Sequence, residues 1–154
     1  MQALRLLTLS AGLALAAVAA DTPLKIDRDR SFVDVEVKAT VDSFTGRLEK
    51  YQAAITADSA TKRIKAAKFE FRFADLKTGK PDRDAKMLAW LGSPEAAGVF
   101  DLGVLALTPD GQGQANGRLT FHGVSERIEF PVTVVREGLG YTIKGEAEID
   151  HRNW

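Results

Sequence analysis

An all-β protein, an antiparallel β-barrel with one short α-helix, is the fold that this 154-residue chain predicts from its spacing of polar and apolar residues. Three observations carry that reading. First, residues 115–134 form two amphipathic arms. Ala115, Gly117, Leu119 and Phe121 alternate with Asn116, Arg118, Thr120 and His122, and Ile128, Phe130, Val132 and Val134 alternate with Arg127, Glu129, Pro131 and Thr133. Successive side chains of a strand leave opposite faces of the pleat, so period-two alternation demands a half-buried sheet. Second, the alternating segments run to about ten residues, longer than the usual five or six and suited to the tilted staves of a barrel. Third, no helical pattern is periodic enough to cover a sheet, and closing the sheet on itself removes exposed edges.

Residues 1–20 are set apart from the fold. Arg5 followed by the apolar run Leu6–Ala20, ending on Ala17-Val18-Ala19-Ala20, has the charged start, oily middle and small-residue end of a secretory signal peptide. The run is short for a bilayer span, which needs roughly 20 apolar residues. Residues 21–154 then read as a single domain, with no repeat, linker or low-complexity tract. After an extended start at Leu24–Ile26, the segment Phe32–Val41 alternates Val33, Val35, Val37, Ala39 and Val41 against polar neighbours. Gly46 predicts a bend or bulge. Tyr51, Ala53, Ile55 and Ala57 give the next apolar face before a polar turn at Asp58–Lys62, and Phe69, Phe71 and Phe73 give an aromatic one. Asp82 is placed to cap a short helix with Met87, Leu88 and Leu91 on one side, ended by Gly92 and Pro94. Gly98–Leu107 is a more uniformly apolar strand whose buried face the pattern does not assign, and Thr108–Gly113 is a turn into the first amphipathic arm. Between the arms, His122-Gly123-Val124-Ser125 supplies a glycine for the hairpin, and Tyr141, Ile143, Gly145, Ala147 and Ile149 predict a last strand.

Composition narrows the function. Lys plus Arg (21) equals Asp plus Glu (21), so no net field draws the chain to nucleic acid or to an anionic membrane. The chain has no cysteine, which removes disulfides and thiol chemistry, and an exported protein held together by its core alone suits a periplasm. His122 and His151 are not spaced for a metal site or a triad, and His122 reads as a surface imidazole on the outward face of its strand. Asp82, Arg83 and Asp84 form the densest charge cluster. A secreted hydrolase acting through Asp82 and Asp84 is the enzyme alternative; a helix N-terminus whose carboxylates favour the dipole is the plainer one. Stepping back by twos from Trp154 gives Arg152, Asp150, Glu148 and Glu146, a charged row that argues against an outer-membrane strand.

The inward faces carry the functional hint. Ala39, Ala53, Ala57, Ala115, Gly117, Gly145 and Ala147 share the apolar side with Phe69, Phe71, Phe73, Phe121, Phe130 and Tyr141. A barrel of about eight strands is wide enough either to be filled by side chains or to hold one small ligand. Two readings stay open: the small residues offset neighbouring phenylalanines in a close-packed core, or they leave a long apolar cavity for a lipid tail. In the first case the protein is a filled barrel serving as an interaction module.

Two motifs resemble those of the YceI family of periplasmic polyisoprenoid-binding proteins. Gly117-Arg118-Leu119-Thr120-Phe121-His122-Gly123-Val124-Ser125 is similar to that family's G-x-L-T-x-x-G-V segment, and Arg83-Asp84 with Met87 and Trp90-Leu91 resembles its R-D-x-x-M-x-x-(W/F)-L helix. More weakly, Asp27–Val37 with Ser31, then Gly46, resembles the S-x-V-x-F-x-V…G opening. The resemblance implies a lipocalin-like β-barrel with a helix over one side and no established catalytic residues. It also implies a long-chain isoprenoid, a quinone-like molecule or another amphiphilic lipid in the lumen as the bound partner, with no further cofactor and no metal. Carried over by position, the ligand-binding set is Val35, Val37, Phe69, Phe71, Leu119, Phe121, Phe130 and Val132, with Met87 and Trp90 near a mouth. Many relatives carry a histidine where this chain has Ala39 and Thr40. The family pattern also continues past Trp154 into another strand, so the expectation is a C-terminally truncated sequence, a homodimer in which a second chain supplies the edge, or a barrel that stays open.

Overall fold

The computed structural model describes residues 21–38, 43–93 and 95–150. The leader-like segment 1–20, residues Ala39–Val41 of the expected Phe32–Val41 strand, Pro94, His151, Arg152 and Trp154 lie outside the described residues. Ten strands and one α-helix follow in order: β1 (Asp21–Leu24), β2 (Asp34–Val37), β3 (Phe44–Leu48), β4 (Tyr51–Asp58), β5 (Ile64–Arg72), β6 (Leu76–Lys77), α1 (Pro81–Leu91), β7 (Ala97–Leu107), β8 (Gln112–Phe121), β9 (Val124–Glu137) and β10 (Gly140–Gly145).

Seven strands make one antiparallel sheet in the order β1-β4-β5-β7-β8-β9-β10, curled into a half-barrel, and β2-β3-β6 make a second, smaller sheet. The register aligns the predicted apolar faces. Ala53, Phe69, Phe100 and Leu119 stand in one cross-strand row, and Tyr51, Phe71, Gly98 and Phe121 in the next. Tyr141 extends from this same face on β10, and its hydroxyl donates to the Lys62 carbonyl in the β4–β5 turn at 3.0 Å. A side chain of the last strand thus reaches a turn four strands away, so the sheet curls with its apolar face inside.

A bulge explains the strand that the pattern left unassigned. Register shifts between Leu102 and Val104, so Gly98, Phe100 and Leu102 share the inner face with Leu105 and Leu107, and Val104 is turned out to 61% exposure. An extra residue in one strand breaks simple alternation while preserving the face on either side.

The smaller sheet packs with the helix. Leu48, Leu76 and Leu91 are among the most buried residues described, at 4%, 3% and 6% exposure. Gly46 is not the bend or bulge expected from its sequence: it pairs regularly with Val35, and a Cβ there would lie 2.9 Å from the Leu76 side chain. Close approach, not chain reversal, selects glycine at this position.

Three local expectations are corrected. Strand β5 stops at Arg72, and Phe73 opens a 3₁₀ turn, Phe73–Asp75, held by the Arg72–Asp75 ion pair at 3.0 Å. Lys80, not Asp82, occupies the N-cap of α1, because Pro81 takes the first helical position where its missing N–H costs nothing. Asp82 and Asp84 fall in the first turn, and Gly92 ends the helix in the left-handed conformation, as expected. The last strand ends at Gly145, so Ala147 and Ile149 lie beyond it.

Candidate ligand-binding trough

The inner face of the large sheet is a floor of aromatic rings. Tyr51 meets Phe69 at 5.3 Å between centroids, Phe69 meets Phe71 at 5.7 Å, Phe71 meets Phe73 at 5.1 Å and Phe73 meets Phe121 at 5.6 Å. A second contact joins Phe100 to Phe130 at 5.5 Å. All seven rings are only half-buried, and no side chain among the described residues is less than 2% exposed. Edge-on and tilted ring pairs at these separations are favourable in themselves, so the floor holds its shape while its upper side stays open.

The glycines of this face make room for the rings. A Cβ on Gly98 would lie 2.4 Å from the Phe71 ring, and one on Gly117 would lie 2.5 Å from the Phe100 ring. Gly145 sits 3.0 Å beneath Phe130 on the same measure. Phenyl groups therefore lie flat over the missing side chains, which is how an aromatic neighbour rescues a glycine in a sheet. At these positions the offsetting-phenylalanine reading of the small residues is the correct one. Rings, not empty space, stand in the place of the glycine side chains.

Six of the residues expected to bind ligand share this surface: Phe69, Phe71, Leu119, Phe121, Phe130 and Val132. Leu119 and Val132 are its more deeply buried members. Val35 and Val37 are elsewhere, half-buried on β2 opposite Gly46 and Phe44 in the smaller sheet. Met87 and Trp90 are on α1; Met87 is half-buried and Trp90 is 63% exposed. Phe100 also belongs to the floor, a place that the bulge two residues after it hides from the sequence pattern. Tyr51 was placed on an apolar face in the sequence but not among the binding residues. The cation–π contact of Arg28, 4.6 Å from its ring centre, marks it as one end of the floor.

Beside the trough, α1 is fastened to the β8–β9 turn. His122 and Gly123 both have positive φ, 54° and 75°, which makes a two-residue turn of the kind that matches strand twist. His122 is therefore in the turn and not on the outward face of its strand. Its Nε2 lies 2.9 Å from the Leu91 carbonyl, and its ring stacks on Trp90 at 6.1 Å with 11° between planes. The imidazole thus occupies one of the carbonyls that a helix C-terminus leaves without a partner. Asp84 accepts from the Thr78 N–H at 3.1 Å and the Thr78 hydroxyl at 2.7 Å, which ties the loop before α1 to its first turn. No group of three or more metal-ligating side chains occurs among the described residues, and none of their helices is long and apolar enough to cross a membrane.

A curled antiparallel sheet with an apolar inner face and a single helix at its side is a lipocalin-like architecture. Residues 24–154 match the model of the YceI-like domain, and the chain belongs to that family. Among solved structures it resembles BcnA of Burkholderia cenocepacia, at 21% identity over 73% of this chain and 72% of that one, with a TM-score of 0.60. It also resembles the YceI protein of Campylobacter jejuni, at 20% identity over 72% of this chain and 67% of that one, with a TM-score of 0.53. No curated protein matches the sequence.

Proposed function

We propose that this protein binds a long-chain isoprenoid or comparable amphiphilic lipid, quinone-like molecules included, along the aromatic trough, and that it carries or sequesters that molecule in the periplasm. The unbroken run of half-buried rings from Tyr51 to Phe121 carries the reading. Rings left open on a concave face are an unfinished core, and an apolar chain laid along them gains about 0.8 kcal/mol per buried methylene without needing polar contacts. Membership of the YceI-like family supports a binding role over a catalytic one. The charged start and apolar run of residues 1–20 support export. The hydrolase alternative finds no support in the geometry, since Asp84 is committed to Thr78 and Asp82 is exposed at the start of the helix.

Native mass spectrometry of protein purified from its own cell envelope tests this directly. The wild type should carry an apolar adduct, and Phe71→Asp and Phe121→Asp should lose it while keeping the β-rich circular dichroism spectrum. An adduct retained in both folded variants would refute the trough as the binding site.

A further inference from the structure

Tyr141 crosses from the last strand of the half-barrel to the turn between β4 and β5. On β10 it alternates with Ile143 and Gly145, which pair with Val134 and Val132 on the inner face of β9, and its hydroxyl donates to the Lys62 carbonyl at 3.0 Å. The acceptor is set without it. Asp58 Oδ1 accepts from the Ala60 and Thr61 N–H groups, the Asp58 N–H donates to the Arg63 carbonyl, and the Lys62 N–H donates to the Asp58 carbonyl, with Lys62 in the left-handed region at φ 57°. Anchored at one end in a strand and at the other on a closed turn, the Tyr141 side chain is a fixed bar.

The bar lies at one end of the binding surface. Tyr51 and Phe71 pair where β4 begins and β5 ends, whereas Ala57 and Ile64 pair beside the turn that receives Tyr141. Between them the inner face stays apolar through Ala53 opposite Phe69 and Ile55 opposite Ala67. Exposure falls along this line: the rings of Tyr51, Phe69 and Phe71 are half-buried, and Ala57 is 3% exposed. The surface is therefore open among the rings and closed at the Tyr141 end.

We propose that Tyr141 is the end stop of the trough and sets the length of apolar chain that it accepts, the chain entering among the rings and stopping at the phenol. The inference rests on the lipid-binding reading and adds its length selectivity. From Tyr51 to Ala57 is six residue steps along β4, about 20 Å of strand at roughly 3.3 Å per step. An extended chain advances roughly 1.2 Å per bond, so about 16 carbons fit. A longer chain keeps its remainder outside the open end.

The test is displacement of a fluorescent fatty acid, cis-parinaric acid, from the protein by straight-chain fatty acids of increasing length, each below its micellar concentration, so that the head stays constant. In the wild type each added methylene should tighten binding by up to about fourfold, the worth of one buried methylene, as far as about 16 carbons, and add nothing beyond. Tyr141→Ala should move that break several carbons toward longer chains. Should Tyr141→Ala not fold, Tyr141→Val, which suits a strand and lacks the phenol, carries the same expectation. A break that stays in place in the folded variant, with all chain lengths weakened alike, makes Tyr141 a brace of the sheet and overturns the end stop, as does a wild-type series without a break; both leave the trough standing. If neither cis-parinaric acid nor any of the chains binds, the lipid-binding reading falls and this one with it.

Discussion

The two sheets of this protein solve the burial of apolar surface in opposite ways. The small sheet and α1 close on each other, and Leu48, Leu76 and Leu91 are shut almost completely away from water. The large sheet curls but does not close over its own aromatic face, and Phe69, Phe71, Phe100, Phe121 and Phe130 all stay half-buried. The first arrangement stabilises the chain by itself. The second leaves apolar area in contact with water, which the proposed ligand would bury.

Substitutions that break this division should do so unequally. Leu76→Ala should have the largest effect on stability, a loss of about 2–4 kcal/mol in urea unfolding from the cavity left beneath Gly46, with ligand affinity of the folded fraction unchanged. Gly117→Ala comes next, because its Cβ would meet the Asp101 carbonyl as well as the Phe100 ring, each at 2.5 Å. Backbone cannot yield as a ring can, so about 1–3 kcal/mol should be lost. Gly98→Ala sharpens the contrast, since only the Phe71 ring stands in its way. That ring can swing up into the trough, so the variant should lose less stability than Gly117→Ala and more ligand affinity, as read by calorimetric titration.

His122→Ala should cost about 1 kcal/mol, the net worth of one hydrogen bond, and should raise amide exchange in the last turn of α1 selectively. The smallest effect is that of acid. The Arg47 guanidinium holds the Asp34 carboxyl below its ordinary value of 3.8, and the Thr61 backbone N–H does the same for Asp58. A carboxylate with a lowered folded pKa contributes fully above its unfolded value and loses that contribution as pH falls through the folded one. Thermal stability should therefore be level through neutral pH and decline only below about pH 4, modestly, because these groups are exposed.

The alternating segments were legible because one face of each strand is wet. Phe69 and Phe71 on β5, Leu119 and Phe121 on β8, and Phe130 and Val132 on β9 could be placed on a common surface from their spacing alone, and the register sets them on one face. Phe100 could not, since its strand is apolar on both sides and the bulge at Leu102–Val104 shifts the phase. Val35 and Val37 have the same alternation as the others and belong to a different sheet, a distinction that periodicity does not contain. His122 read as an outward strand residue because a histidine in a left-handed turn leaves no mark in the hydrophobic pattern. Its bond to the Leu91 carbonyl joins positions 31 residues apart.

Local patterning by itself determined the class of fold, the inner and outer faces of most strands, and the helix α1 with its glycine stop, since each depends on neighbours a few residues away. Tertiary structure decided which strands share a sheet, that phenyl rings and not empty space lie over Gly98 and Gly117, and that the curl stops short of covering its own floor. Those outcomes depend on distances between segments far apart in the chain, and side-chain spacing along a strand carries no information about them.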